Sequence, residues 1–333
     1  MSRKESKGVA TTARQRREST LKQNPKKSSR TSQGSARRRR SNARRLSPLW
    51  FIGGLLVCVV IVVGVFIYIA DHQPVAGVVG PTDPKVLSQV THVKPSVLAK
   101  VNTGGVHNIL QTTGSTQELT GQNGKPEIFY YGAEFCPYCG AQRWSLVVAL
   151  SRFGTFSQLP EGLSSEQDVY ANTPTFTFVG SKYTSPYVDF VPVEAQTRDH
   201  KPLQTPSPHE QQVLQQYQVN GFPFLDIAGQ YMASNTFYDP GLLQGLSQKD
   251  IANKLSDPSN DQTQSIIGGA NYLTAAICSV THDRPANVCK QAPIPALEPS
   301  VIHSPHLGQP QADVPTTDPV ALSTGRREDD FSA

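Results

Sequence analysis

The sequence has little apolar content for its length. Apolar side chains make up 37% of the 333 residues, which is below the usual share for a globular chain. Proline (26 residues) and glycine (25 residues) are frequent. We therefore expect much of the length to lie outside any packed core.

The first 48 residues lack aromatic side chains and almost lack acidic ones. They hold 16 Lys and Arg but only 2 Asp and Glu, whereas residues 49–333 carry a formal charge of −9. With almost nothing apolar to bury, residues 1–48 are predicted to be a disordered tail. Because no aromatic ring offers a stacking platform for bases, we expect the tail to bind anionic lipid and not nucleic acid.

Residues 49–70 lack charge altogether. These 22 residues are rich in Val, Ile, Leu and Phe, with Trp50 and Tyr68 near the ends as interfacial aromatics. The run is long enough to span a hydrocarbon layer of ~30 Å. The alternative, a cleaved signal peptide, has an apolar region of about 7–15 residues. We predict a single transmembrane helix, and the positive-inside rule places the N-terminus in the cytoplasm and the C-terminal domain outside.

Only five cysteines occur, and four of them form two close pairs. Cys58 lies within the apolar run and is interpreted as a small apolar residue. The pairs are Cys136 with Cys139 and Cys278 with Cys289. Paired cysteines suit an oxidising compartment.

The first pair lies where a strand pattern meets a helix pattern. An apolar and aromatic run over 127–133 leads into Cys136-Pro137-Tyr138-Cys139, and a helix is predicted from Pro137 to about Phe153. Unpaired N–H groups and the helix dipole favour a thiolate at this point. We predict Cys136 as the exposed nucleophile and Cys139 as the resolving thiol of a thiol–disulfide exchanger.

The same Cys-x-x-Cys spacing also occurs in zinc sites and in structural disulfides. A zinc site needs a second ligand pair, but Cys278 and Cys289 are too far apart for a typical knuckle and no His-x-x-x-His pattern occurs. A purely structural Cys136–Cys139 disulfide is disfavoured because closing so short a loop gains little entropy. No metal or other cofactor is therefore expected.

A second element of the predicted site is the Gly221-Phe222-Pro223-Phe224 stretch. A proline that starts a strand cannot donate to the ladder of the sheet. We predict a cis bond before Pro223 that leaves the backbone of Phe222 free to bind an extended substrate strand. The alternative is an ordinary edge-strand proline, but strand, helix and strand patterns separate this stretch from the Cys pair and favour the substrate-binding role.

This order of elements resembles the thioredoxin fold over roughly residues 120–256. A narrower resemblance, through about 96–290, is to the prokaryotic family known as domain of unknown function 929. It rests on residues 124–128, 131–139 with Arg143-Trp144, 149–154 and 181–185. The resemblance implies a membrane-anchored thioredoxin-like domain and leaves the substrate open.

Two positions depart from the thioredoxin pattern. Phe135 precedes the first cysteine, where thioredoxins typically have Trp. Tyr130 stands six positions before Cys136, where thioredoxins have a buried acid that helps to deprotonate the resolving thiol. Glu134 and Glu127 are the candidates to replace that acid.

The second pair, Cys278 and Cys289, lies at and beyond the end of a predicted helix over 265–280. A structural disulfide is the favoured interpretation, and it would contribute on the order of 3 kcal/mol by loop-closure entropy. The alternative is a relay pair that exchanges electrons with Cys136 and Cys139.

We therefore predict an α/β protein with a thioredoxin-like fold, one N-terminal transmembrane helix and disordered tails. The predicted parts are a basic cytoplasmic tail (1–48), the membrane span (49–70), a linker (71–95), the thioredoxin-like domain (96–290) and a Pro-rich tail (291–333). The expected function is a membrane-tethered, extracytoplasmic thiol–disulfide oxidoreductase that acts on envelope protein thiols or disulfides and is served by an unidentified membrane redox partner. The alternatives are a non-catalytic envelope binding protein with the same fold and a thiolate metal carrier.

Overall fold

The computed structural model of the protein describes residues 58–64, 78–115 and 117–306. The chain divides into two units, Met1–Ala70 and Asp71–Ala333. In the first unit, residues 58–64 are helical (α1). The predicted tail over 1–48 and most of the predicted span over 49–70 lie outside the described residues. Within the described ranges, no helix has both the length and the hydropathy that a membrane crossing requires.

The second unit is a mixed α/β domain. Its strands are β1 (Val78–Pro81), β2 (Gln111–Thr112), β3 (Glu127–Gly132), β4 (Thr155–Gln158), β5 (Pro160–Leu163), β6 (Pro174–Phe176), β7 (Lys182–Thr184), β8 (Asp189–Glu194), β9 (Phe224–Ile227) and β10 (Tyr231–Ala233). Its helices are α2 (Pro84–Thr91), α3 (Pro95–Val101), α4 (Pro137–Leu150), α5 (Pro208–Gln216), α6 (Gln248–Lys254), α7 (Asp261–Val280), α8 (Ala286–Cys289) and α9 (Ile294–Ile302), with a 3₁₀ helix at Pro240–Leu243.

The largest described sheet has the strand order β2-β10-β9-β3-β8. Strand β3 lies between β8, with which it is parallel, and β9, with which it is antiparallel. Successive β3 side chains point to opposite faces. Ile128 and Tyr130 therefore join the main core with α4, whereas Phe129 joins a smaller cluster with Val213 of α5. Both faces of the sheet are covered, which explains why β3 is apolar almost throughout.

Helix α4 is the centre of the main core. Every residue from Cys139 to Leu150 is buried, and the helix packs against α7. Two adjacent glycines let α7 approach its neighbours closely. A Cβ at Gly268 would lie 2.1 Å from the carbonyl oxygen of Thr103, and one at Gly269 would lie 2.8 Å from Oγ of Ser145 on α4. Gly269 thus lets α7 pack closely on the helix that carries the cysteine pair.

The structure differs from the linker predicted over 71–95. Strand β1 pairs antiparallel with β5, and α2 follows it. Pro84 occupies the first turn of α2, where a missing N–H costs nothing, and Val86 and Val90 are buried on one face of the helix. Prolines that suggested an extended linker therefore mark the boundaries of ordered elements.

The structure also differs from the disordered tail predicted over 291–333. Helix α9 follows Pro293, packs against α7 and buries Ile294, Leu297 and Val301 along one stripe. This spacing is that of an amphipathic helix, which the high proline content of the segment obscures in the sequence. Residues 307–333 lie outside the described residues.

Candidate functional site

The structure places Cys136 and Cys139 at the start of α4. Cys136 is the N-cap residue, Pro137 occupies the first turn, and both thiols are free. The backbone N–H of Cys139 donates a hydrogen bond of 3.2 Å to Sγ of Cys136. Cys136 is 6% exposed and Cys139 is fully buried. The prediction of an exposed Cys136 is wrong, because the loop before α4 and the neighbouring rings bury it, although it is slightly more accessible than Cys139.

The two thiols differ in acidity. The pKa of Cys136 is lowered because the Cys139 side chain and the N–H groups of Cys139 and Tyr138 donate to its sulfur, and because Arg143 is positively charged. These effects outweigh the burial of Cys136, which acts in the opposite direction. Burial raises the pKa of Cys139 well above its ordinary value, and the hydrogen bond to Cys136 adds to the effect. The proton of the pair therefore stays on Cys139 and the thiolate forms on Cys136.

Phe222 lies beside the thiols. The Phe222–Pro223 peptide bond is cis. The side chain of Phe222 packs on the small apolar cluster that contains Cys136 and Cys139. Its ring centroid lies 5.0 Å from that of Tyr131 and 6.0 Å from that of Phe135. The segment before β9 thus forms one wall of the site.

His200 stacks on Phe135 near the cysteine cluster and was not predicted. It lies in a tight turn closed by the bridge between Gln196 and Pro202, and its ring stacks on Phe135 with centroids 4.0 Å apart. Phe135 therefore contacts the rings of both His200 and Phe222. A histidine in a polar loop gives no signal in a single sequence that it will stack on Phe135.

A buried ion pair lies one turn further along α4. Nε and Nη2 of Arg143 donate to the two carboxylate oxygens of Glu194 on β8, over 2.9 and 2.6 Å. Nη2 also donates to the carbonyl oxygen of Ala133 over 2.8 Å. Both side chains are fully buried, and the guanidinium carbon lies 5.8 Å from the ring centroid of Tyr130. The only sequence signal for this pair was an arginine within an otherwise apolar helix.

The two candidate replacements for the buried acid of thioredoxins lie in different places. Glu134 lies in the loop between β3 and α4. It is buried, accepts a hydrogen bond of 2.7 Å from Thr177, and has its pKa raised by burial to about 7. Glu127 lies at the start of β3, 3.5 Å from His209 of α5. Glu134 interacts with the charges of Arg143 and Glu194, whereas Glu127 lies next to His209 and Glu210 of α5.

Cys278 and Cys289 are joined in a disulfide that links the end of α7 to α8. Both residues are buried in the main core. Relay disulfides are typically exposed or strained, so this burial favours the structural interpretation. Over the ranges that the structure describes, no group of three or more His, Cys, Asp or Glu side chains is arranged to hold a metal ion.

Fold and site together define a mixed α/β protein with a dithiol at the start of a buried helix. The family described as Domain of unknown function (DUF929) matches residues 112–279, about half of the chain, and the chain belongs to this family. The membership predicted from the sequence is thereby confirmed. The matched range contains the cysteine pair, Arg143, Glu194 and Pro223. Comparison with curated proteins and with solved structures found no match.

Proposed function

We propose that the protein is a membrane-tethered, extracytoplasmic thiol–disulfide oxidoreductase that acts on protein thiols or disulfides of the cell envelope. The observation that carries this proposal is the asymmetry of the cysteine pair. One thiol is the N-cap of a helix and has a lowered pKa, and the other is fully buried and has a raised pKa. An exchanger needs this division between an attacking and a resolving sulfur.

A thioredoxin-like fold is part of the proposal. Strand β3, helix α4 and the parallel strand β8 form a βαβ unit, and helix α5 leads into the antiparallel hairpin β9–β10. The cis proline lies immediately before β9. This order and these strand directions support a thioredoxin-like fold. Strands β4–β7 would then be an insertion between α4 and β8.

In the proposed reaction, the Cys136 thiolate attacks one sulfur of a substrate disulfide. A bond forms between Cys136 and that sulfur, and the other substrate sulfur leaves as a thiolate. Cys139 then attacks Sγ of Cys136, which forms the Cys136–Cys139 disulfide and releases the first substrate sulfur as a thiol. The substrate gains two electrons and the cysteine pair loses two. The same steps in reverse oxidise a substrate dithiol, and a membrane redox partner restores the pair.

The aromatic residues around the thiols offer a surface for substrate binding. Phe135, Phe222 and Tyr131 present aromatic surface next to the thiols. In the proposal, an extended substrate segment binds along the backbone of Phe222 beside Pro223, with apolar side chains against these rings. Because Cys136 is only 6% exposed, binding must displace part of this aromatic cover.

The membrane anchor and the lipid contact complete the proposal. Residues 49–70 would span the membrane once, with the N-terminus in the cytoplasm. The 16 basic residues of the tail would bind anionic lipid, each contributing about 1 kcal/mol near the surface. Both parts of the proposal are supported by the sequence pattern alone.

Trapping of mixed disulfides tests the exchange reaction. Cys139→Ser in the full-length chain should leave substrate proteins attached to Cys136, visible as adducts on a non-reducing gel. The matched control carries Cys136→Ser together with Cys139→Ser and should show none. If Cys139→Ser yields no adducts that depend on Cys136, the exchange function is wrong.

The near-complete burial of Cys136 favours one second candidate, a non-catalytic envelope binding protein with the same fold. In that case the cysteine pair would form an inert bond. A redox titration separates the two functions, since catalytic pairs equilibrate with buffers in the range of about −120 to −270 mV whereas inert bonds resist mild reduction.

A further inference from the structure

Resolution of a mixed disulfide requires Cys139 to lose its proton, although Cys139 is fully buried. Strand β3 offers no carboxylate at the expected position, because Tyr130 stands there. Burial raises the pKa of Tyr130 well above its ordinary value, so its hydroxyl keeps its proton at neutral pH. Among the described residues, that hydroxyl has no hydrogen-bond partner. The stabilisation of a Cys139 thiolate must come from another element.

Arg143 lies in the right place for this role. It follows Cys139 by four residues on α4, so the two side chains leave the same face of the helix on neighbouring turns. Glu194 and the Ala133 carbonyl oxygen hold Nε and Nη2. Nη1 is buried and has no hydrogen-bond partner within the described part of the chain. A fixed, fully buried guanidinium with an unused N–H group thus lies one turn from the resolving thiol.

The charges around the Cys139 thiol shift its pKa in opposite directions. Its titratable neighbours are Cys136 and Arg143 on α4, Tyr130 on β3 and Glu194 on β8, with Glu134 next to the ion pair. Of these, only Arg143 is cationic. Its charge lowers the pKa of Cys139 and that of Cys136, and the charge of Glu194 raises the pKa of Cys139 by a smaller amount.

We propose that Arg143 is a positioning residue that stabilises the thiolate of Cys139 while the mixed disulfide is resolved, and that Glu194 fixes the guanidinium and limits its effect. The inference rests on the proposed thiol–disulfide exchange. In the step concerned, Cys139 loses its proton and its sulfur bonds to Sγ of Cys136. The bond between Cys136 and the substrate breaks, and the departing substrate sulfur takes up the proton.

A purely structural ion pair is the alternative, and two variants distinguish it from an electrostatic role. Glu194→Gln keeps the guanidinium but removes the opposing charge. Arg143→Met combined with Glu194→Met removes both charges and leaves no unpaired buried ion, an exchange that cores often tolerate. The electrostatic role predicts that the two variants shift the pKa of the Cys139 thiol in opposite directions. Arg152→Met is the matched control, because it removes an arginine just beyond the far end of α4.

The test uses full-length protein that carries Cys58→Ser, so that only Cys136 and Cys139 remain free thiols. The reduced protein reacts with one equivalent of DTNB, an aromatic disulfide whose cleavage releases a coloured thiolate. Attack by Cys136 releases the first coloured thiolate, and attack by Cys139 on the resulting mixed disulfide releases the second. The pH midpoint of the second release reports the acidity of Cys139, and far-UV circular dichroism checks that each variant is folded.

Glu194→Gln should lower the midpoint of the second release by about one pH unit, which is about a tenfold faster release below the midpoint. The double Met variant should raise the midpoint and slow the release, and Arg152→Met should match the parent. If both variants keep the parental midpoint, or shift it in the same direction, the role of Arg143 is wrong. If the parent itself shows no second release, the proposed exchange fails and the inference falls with it.

Discussion

The backbone N–H of Cys139 donates a hydrogen bond to Sγ of Cys136 over 3.2 Å. The same turn of α4 therefore fixes the distance between the two sulfurs and stabilises negative charge on the first. The side chain of Cys139 contributes the largest part of the lowering of the Cys136 pKa. The two cysteines thus act as one unit in which the resolving thiol activates the nucleophile.

Replacement of Cys139 tests this coupling. Cys139→Ala removes the side-chain donor and should raise the pKa of Cys136, whereas Cys139→Ser keeps a hydroxyl donor and should raise it less. The measurement is the rate of iodoacetamide alkylation as a function of pH, in the Cys58→Ser background. Equal alkylation profiles for the Ala and Ser variants would show that the side-chain hydrogen bond does not control Cys136.

The Cys278–Cys289 disulfide should matter for stability and not for exchange. Replacing both cysteines with Ala removes a bond between residues 11 positions apart. Loop-closure entropy then predicts a loss on the order of 3 kcal/mol in the free energy of unfolding. Urea unfolding measures the loss, and two-step thiol release from DTNB at Cys136 and Cys139 should persist. A relay role predicts the reverse, with little loss of stability and a loss of turnover with the membrane redox partner.

The helix that carries the thiols could be predicted because its signals are local. Pro137 fixes the first turn, and the apolar run that follows predicts a buried helix to about Phe153, close to the observed end at Leu150. The position of the cis proline was likewise predictable, since Pro223 sits at the start of a strand pattern. These features depend on residues that are neighbours in the chain.

The partners of that helix could not be predicted, because they are distant in the chain. Arg143 and Glu194 are 51 residues apart, and nothing in one sequence pairs a given arginine with a given carboxylate. Helix α9 buries its apolar stripe only because α7 is there to receive it. Proline-rich composition then led to a prediction of disorder where tertiary packing produces a helix.

The contact between α7 and the loop after α3 yields a prediction in which two effects compete. By helix propensity alone, Gly268→Ala should raise the free energy of unfolding by about 1 kcal/mol. The added Cβ would, however, lie 2.1 Å from the carbonyl oxygen of Thr103, which belongs to the backbone and cannot rotate away. Overpacking of this kind costs about 1–3 kcal/mol, so we expect a net loss of stability in urea unfolding.

Gly221→Ala is the matched control for that experiment, because a Cβ there would meet no atom within 4 Å. Its unfolding midpoint should stay close to that of the parent. A Gly268→Ala variant that is as stable as the Gly221→Ala variant would show that α7 can move away from Thr103 at little cost.

Asp226 should make the protein less stable as the pH rises. It lies on β9, is fully buried, and accepts a hydrogen bond of 2.8 Å from the N–H of Gly229. Burial, with the nearby charge of Glu127, raises its pKa from 3.8 to about 7, although the Gly229 N–H and Tyr217 act in the opposite direction. The folded state therefore holds a proton that the unfolded state releases, and the resulting stability is complete below about pH 4 and is lost as the pH rises through 7.

Asp226→Asn keeps an acceptor for Gly229 and removes this titration. The shift corresponds to a loss of free energy of unfolding on the order of 4 kcal/mol as an upper bound. In urea unfolding, the variant should therefore be more stable relative to the parent at pH 8 than at pH 4. Some pH dependence should remain in the variant, because burial also raises the pKa of Glu134 to about 7. If the parent and the variant lose the same stability between pH 4 and pH 8, Asp226 is ionised in the folded protein across that range and the argument from burial is wrong.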